Sequence, residues 1–157
     1  IMTAPVRPFA LYAAKFCVVA KMALLTQIWL LVLFLIGGKL GAGLTGFPPP
    51  EILLWLLRGA VGGLPIIAIQ LLLSMVIRNF ALPVLMALGG SILGLMATTS
   101  NAGLFWPYSL MLMGMNSNRT EDVMTGQLPG FFLSCIIFLA IFLLTADAVL
   151  AKQDVKA

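Results

Sequence analysis

Four stretches of almost unbroken apolar residues run through the chain, at roughly 22–38, 59–77, 80–99 and 123–146. Each approaches the ~20 residues that a helix needs to cross ~30 Å of hydrocarbon. Inside the bilayer the backbone must bond to itself, so helices are the expected form. A membrane barrel would instead show ~10-residue segments of alternating polarity. The run Trp29 to Ile36 is apolar at every position and has no such alternation. The pattern predicts an all-α integral membrane protein, a polytopic bundle of about four transmembrane helices. An outer amphipathic segment is expected between the last two.

Composition agrees. Of 157 residues, 62% are hydrophobic and only 9% charged. A soluble domain of this size has too little interior to hide that much apolar surface. The gaps between the runs are too short to close a second core, so residues 1–157 read as a single transmembrane domain. The opening Ile1-Met2-Thr3-Ala4-Pro5 lacks a basic n-region and a cleavage site, so it is not a signal peptide. It reads as a fragment whose upstream residues are missing, with Met2 as a true start the alternative.

The segment Pro5 to Lys21 is semi-polar and is expected to lie at the interface before the first span. Residues 39–50 are rich in glycine and proline and predict a loop. Glu51 to Leu57 reads as a short interfacial helix, with Arg58 snorkelling from an outer turn. Gly62-Gly63-Leu64-Pro65 predicts a break or kink. Only Arg78 and Asn79 separate the second and third runs, which implies a tight helical hairpin. Gly90 and Gly94 have the small-xxx-small spacing that lets helices approach closely.

Residues 100–129 mix apolar and polar positions. Trp106 and Tyr108 are expected at the outer headgroups, with Asn116, Asn118, Arg119, Glu121 and Asp122 facing water. Two uses fit this segment: a cap that seals the bundle, or a re-entrant loop that meets a ligand. With four spans, six Lys and Arg fall on the face that holds the Arg78 turn and both ends. They are Arg7, Lys15, Lys21, Arg78, Lys152 and Lys156; Lys39, Arg58 and Arg119 fall opposite. The positive-inside rule puts the six in the cytoplasm.

No catalytic set is visible. There is no His, and the five carboxylates are dispersed. Cys17 and Cys135 lack metal-ligand spacing and read as inert core residues. The net charge of +4 comes from scattered Lys and Arg and not from a basic run, so no nucleic-acid partner is implied. No cofactor, metal or catalytic residue is assigned. The polar residues within spans are few and uncharged, and Gln27 and Gln70 are expected to bond across helices.

Two short stretches carry a resemblance. Thr3-Ala4-Pro5-Val6-Arg7-Pro8-Phe9, followed by Ala14-Lys15, resembles the cytosolic coupling segment of type-2 ATP-binding-cassette (ABC) permeases. The usual residue between Val6 and Arg7 is absent. Leu73-Ser74-Met75-Val76-Ile77-Arg78-Asn79 resembles the cytosolic hairpin of the same family. The long outer segment before the last helix is a third agreement, and the branch most resembled is the lantibiotic- and bacitracin-resistance exporters. The resemblance implies six helices in the complete chain, of which these would be the C-terminal four. It implies Pro5, Val6, Arg7, Lys15 and Arg78 as ATPase-coupling residues, and Trp106, Tyr108 and Arg119 as possible substrate contacts. It further implies a cytosolic ATP-binding subunit, a second permease chain and membrane lipid as partners, in a bacterial cytoplasmic membrane with both ends cytoplasmic. The competing expectation is a membrane scaffold or assembly subunit with no transport path; an intramembrane enzyme lacks the residues it would need.

Overall fold

A computed structural model describes residues 8–154, apart from 44, 47, 48, 101, 118–121 and 123. Among the described residues every regular element is helical: α1 (Pro8–Ile36), α2 (Glu51–Val76), α3 (Ala81–Thr99), α4 (Pro107–Gly114) and α5 (Leu128–Asp154). Four of these are long and apolar enough to cross a membrane, as the four runs predict.

The first departure from expectation is in α1. Its 29 residues form one uninterrupted helix, with no separate interfacial piece. At 1.5 Å per residue it is about 43 Å long, well beyond ~30 Å of hydrocarbon. The exposed Lys15 therefore sits on a first third that can stand clear of the bilayer, and the exposed Lys21 follows near the middle of the helix. The helix ends in a widened turn, Gly37–Gly41, where the Ala42 N–H reaches back to the Gly37 carbonyl at 3.1 Å.

The second departure is in α2, which is continuous through Arg58 and through Gly62-Gly63-Leu64-Pro65. No break forms. Pro65 is fully buried inside the helix, and the glycines serve a neighbour instead. The turn from α2 to α3 is as tight as the sequence implied. The Asn79 side-chain carbonyl accepts the Ala81 N–H at 2.9 Å and so caps the start of α3.

Two apolar clusters tie the bundle together, one at each end. At the hairpin end, Tyr12 of α1 packs with Leu72 of α2 and with Ala146 and Leu150 of α5. The Tyr12 hydroxyl donates to the Ala68 carbonyl at 2.8 Å. The start of α1, the α2–α3 turn and the end of α5 thus share one end. At the opposite end, Leu110 of α4 and Met124 pack with Phe131 and Cys135 of α5. Most hydroxyls in the spans are satisfied within their own helix. Thr26, Ser91 and Thr145 each donate to the carbonyl four residues earlier, which lets them face lipid at little cost.

Candidate functional site

The centre of interest is α4, the short helix between the last two spans, much of which is buried. After α3 ends at Thr99 the chain doubles back. A 3-10 turn, Gly103–Phe105, brings Trp106 down beside the middle of α3, where its indole N–H donates to the Gly90 carbonyl at 2.9 Å. Gly90 is the tenth of the nineteen residues of α3. From there α4 climbs back, and Gly114 reaches the Arg58 backbone near the far end of α2. This segment is wedged between α2 and α3, and α2 packs far more extensively on α4 than on α3.

Glycines make the wedge possible. A methyl group at Gly62 would lie 2.5 Å from the Leu110 carbonyl oxygen, and one at Gly114 would lie 2.6 Å from that of Arg58. On α3, Gly90 and Gly94 accept the Tyr108 ring and backbone. The small-xxx-small pair is used as expected, although its partner is α4 and not a second long helix. The C-terminal end of α4 is closed by a Schellman arrangement: Ser117 N–H to Leu112 O and Asn116 N–H to Met113 O, both at 3.1 Å. Asn116 takes the left-handed conformation that this cap needs, with φ of 50°.

Polar atoms of the wedge are satisfied inward. Tyr108 is buried, and Gln70 of α2 donates to its hydroxyl. Gln70 therefore bonds across helices as expected. Gln27 is buried on α1, but its amide oxygen has no hydrogen-bond partner among the described residues. The Ser109 hydroxyl donates to the carbonyls of Gly103 and Trp106. Trp106 and Tyr108 are brought together, with ring centroids 6.4 Å apart. They were expected at the outer headgroups; the structure buries Tyr108 and leaves Trp106 half-buried against α3. Asn116 was expected to face water and is also buried.

One ion pair lies at the mouth of this wedge. Arg58 Nη1 donates to both carboxylate oxygens of Asp122, at 2.8 and 3.1 Å. The Arg58 side chain is 7% exposed and that of Asp122 29%. Arg58 is therefore held by a partner within the protein and does not reach out alone from an outer turn. The Asp122 carboxylate also accepts the Met124 N–H at 2.9 Å. Burial pushes its pKa up, but the Arg58 hydrogen bonds, the Met124 N–H, the Arg58 charge and the nearby Trp55 indole together hold it below the usual carboxylate range. A clue to this pair was present in the sequence. Arg58 stands eighth on the second helix, at the edge of the 59–77 run, and a charge beside so apolar a stretch calls for a partner.

Among the other anticipated residues, Lys15 and Arg78 are both exposed at the hairpin end, Arg78 in the turn itself and Lys15 about one helical turn beyond Tyr12. Pro5, Val6, Arg7 and Arg119 lie outside the described residues, as do Asn118 and Glu121.

Removing the Tyr108 hydroxyl tests the inner contact. Tyr108→Phe leaves the half-buried Gln70 amide without this acceptor, a loss of about 1 kcal/mol. Adding Gln70→Leu should recover most of it, because both polar partners are then gone. Thermal unfolding midpoints of the two variants in detergent check this.

No curated protein and no solved structure shows a significant match to the chain. The ABC-2 family transporter protein does match, over residues 1–94, which takes in α1, α2 and most of α3. That is more than half of the 157 residues, and it falls on the part of the bundle that carries the hairpin and the glycine seat of α4. The chain belongs to the ABC-2 family of transporter proteins.

Proposed function

We propose that this chain is the permease of an ABC exporter that moves a hydrophobic or peptide-like substrate, powered by a separate cytosolic ATP-binding subunit. The observation that carries this reading is the construction of the hairpin end. The Tyr12, Leu72, Ala146 and Leu150 cluster joins three helices into one stiff unit, with Lys15 and Arg78 exposed beside it. An ATPase that pushes on such an end moves α1, α2 and α5 together. The hairpin end is then cytoplasmic, in keeping with six of the nine Lys and Arg falling on that side. Arg7, with Pro5 and Val6, belongs to the same docking surface.

The functional unit in this reading is a pair of permease chains. Along α1 the apolar side chains are exposed nearly all round, for example Trp29, Leu30 and Phe34. Lipid covers part of that surface and the second chain covers the rest. Trp106, Tyr108 and Arg119 contact substrate in this reading, and a lantibiotic- or bacitracin-like peptide is the class that the coupling motifs favour.

The experiment uses the complete chain purified with its ATP-binding subunit. Lys15→Glu combined with Arg78→Glu is expected to lower ATP hydrolysis by the complex about tenfold, since reversed charges oppose docking. Membrane insertion should be unchanged. A cysteine at Thr45 should label from outside the cell, and one at Asp154 only after permeabilisation. Normal hydrolysis by the double variant would remove the docking surface. Outside labelling at position 154 would invert the orientation.

A further inference from the structure

We infer that the outward flank of the turn at residues 102–106 faces a water-filled recess inside the membrane span, and not lipid. Depth comes first. The 19 residues of α3 give about 28 Å at ~1.5 Å each, which only just covers ~30 Å of hydrocarbon. Its middle residues therefore lie within the hydrocarbon. The Tyr108 and Ser109 backbone lies against Gly94, at 3.0 and 3.1 Å from where a methyl group would stand. The Ser109 hydroxyl in turn donates to the carbonyls of Gly103 and Trp106, so the turn sits at the same level. Gly94 precedes the end of α3 at Thr99 by five residues, which puts this backbone about 7.5 Å inside the end of the span. The Trp106 indole reaches deeper still, to Gly90.

One side of the turn is open. Ala102 is exposed, and Phe105 is 81% exposed. The polar side chains here bond inward, but the main chain is not fully paired. Among the described residues no donor meets the Leu104 or Phe105 carbonyl, and Pro107, placed to bond Leu104, has no N–H. Non-helical backbone of this kind does not face lipid; within a span it occurs only inside protein or beside water. A second copy of the chain would offer no donor at this depth. The exposed side chains there are apolar, as at Ile92, Leu93 and Leu133, or, like Ser91, already bonded within their own helix. Water supplies the donors, and the N–H groups of a peptide-like substrate can take its place. Used in that way the recess is a stretch of the path in the transport reading above, and only that use rests on that reading.

The test uses the complete chain in lipid nanodiscs, where both membrane faces are open and no ATPase is needed. Cys17→Ser and Cys135→Ala remove the native thiols. Phe105→Cys is the reporter, and little packing is lost with so exposed a ring. Leu93→Cys is the reference, 52% exposed and next to Gly94 on α3. A charged maleimide reacts with the thiolate, which does not form in hydrocarbon, so Phe105→Cys should label about tenfold faster or more than Leu93→Cys. A reporter no faster than the reference overturns the recess. If both are slow, lipid, a second chain or another part of the complete chain covers the turn. If both are fast, that level lies outside the hydrocarbon. The charge-reversal experiment on Lys15 and Arg78 reads docking of the ATP-binding subunit, so the two can fail separately.

Discussion

Gly62→Ala is expected to destabilise the protein by about 3 kcal/mol, at the upper end of what overpacking usually costs. The new methyl carbon would sit 2.5 Å from the Leu110 carbonyl oxygen, 2.7 Å from its carbon and 2.9 Å from the Met111 nitrogen. All three are backbone atoms. No rotamer change relieves the clash, so α4 as a whole must move. Gly62→Leu should unseat it outright. The same α2 helix supplies a control, because a methyl group at Gly63 meets only the flexible end of Met111, at 3.9 Å. Another lies on α3, where a methyl group at Gly89 meets nothing within 4 Å. Gly89→Ala should be neutral or stabilising by up to about 1 kcal/mol, through helix propensity alone. Unfolding midpoints of the three alanine variants in one detergent decide the matter. If Gly62→Ala is as stable as Gly89→Ala, α4 does not pack there.

The four crossings were legible because hydrocarbon leaves no other way to place runs such as Trp29 to Ile36. The tight turn at Arg78 followed directly from the two residues between apolar runs. What the one-dimensional pattern hid was the use of individual residues by a distant neighbour. Gly62-Gly63-Leu64-Pro65 carries the composition of a break, yet the helix continues, and Gly62 exists for Leu110, 48 positions later. Residues 100–129 looked too polar for a crossing, and Trp106, Tyr108 and Ser109 lie among them. Their polarity is consumed inside the bundle, by Gly90 for Trp106, Gln70 for Tyr108, and local carbonyls for Ser109. A segment that satisfies its polar groups internally can sit at depth while its sequence still reads as a surface. Arg58 shows the same blindness. A long cation near a helix end has a simple local solution in snorkelling, and only tertiary structure shows that Asp122, 64 residues on, supplies the partner.

The two halves of that ion pair should not be equivalent. Asp122→Ala is expected to cost about 3–5 kcal/mol, the usual penalty for stranding one member of a buried pair. Arg58 would keep its charge at 7% exposure, with Gly59, Met115 and the α4 terminus crowding its backbone. Arg58→Met should cost clearly less. The methionine fills much of the same apolar path, and Asp122, already 29% exposed, can turn to water. The double variant Arg58→Met with Asp122→Ala should lie near the milder single variant, since no charge is then stranded. Acid supplies an independent check with a defined sign. Because the Asp122 pKa is held below the ordinary carboxylate value in the folded protein, its contribution is fully present above about pH 4. It is lost as the pH falls through the depressed value, where the folded state must also take up the proton. The stability difference between the parent and Asp122→Ala should therefore be flat from pH 8 to pH 5 and shrink only below about pH 4. A difference that already collapsed at pH 6 would mean that the carboxylate is not held by Arg58 in the manner described. Equal losses from Arg58→Met and Asp122→Ala would mean that burial is shared evenly, and that the asymmetry between a sheltered guanidinium and a half-wet carboxylate does not govern the pair.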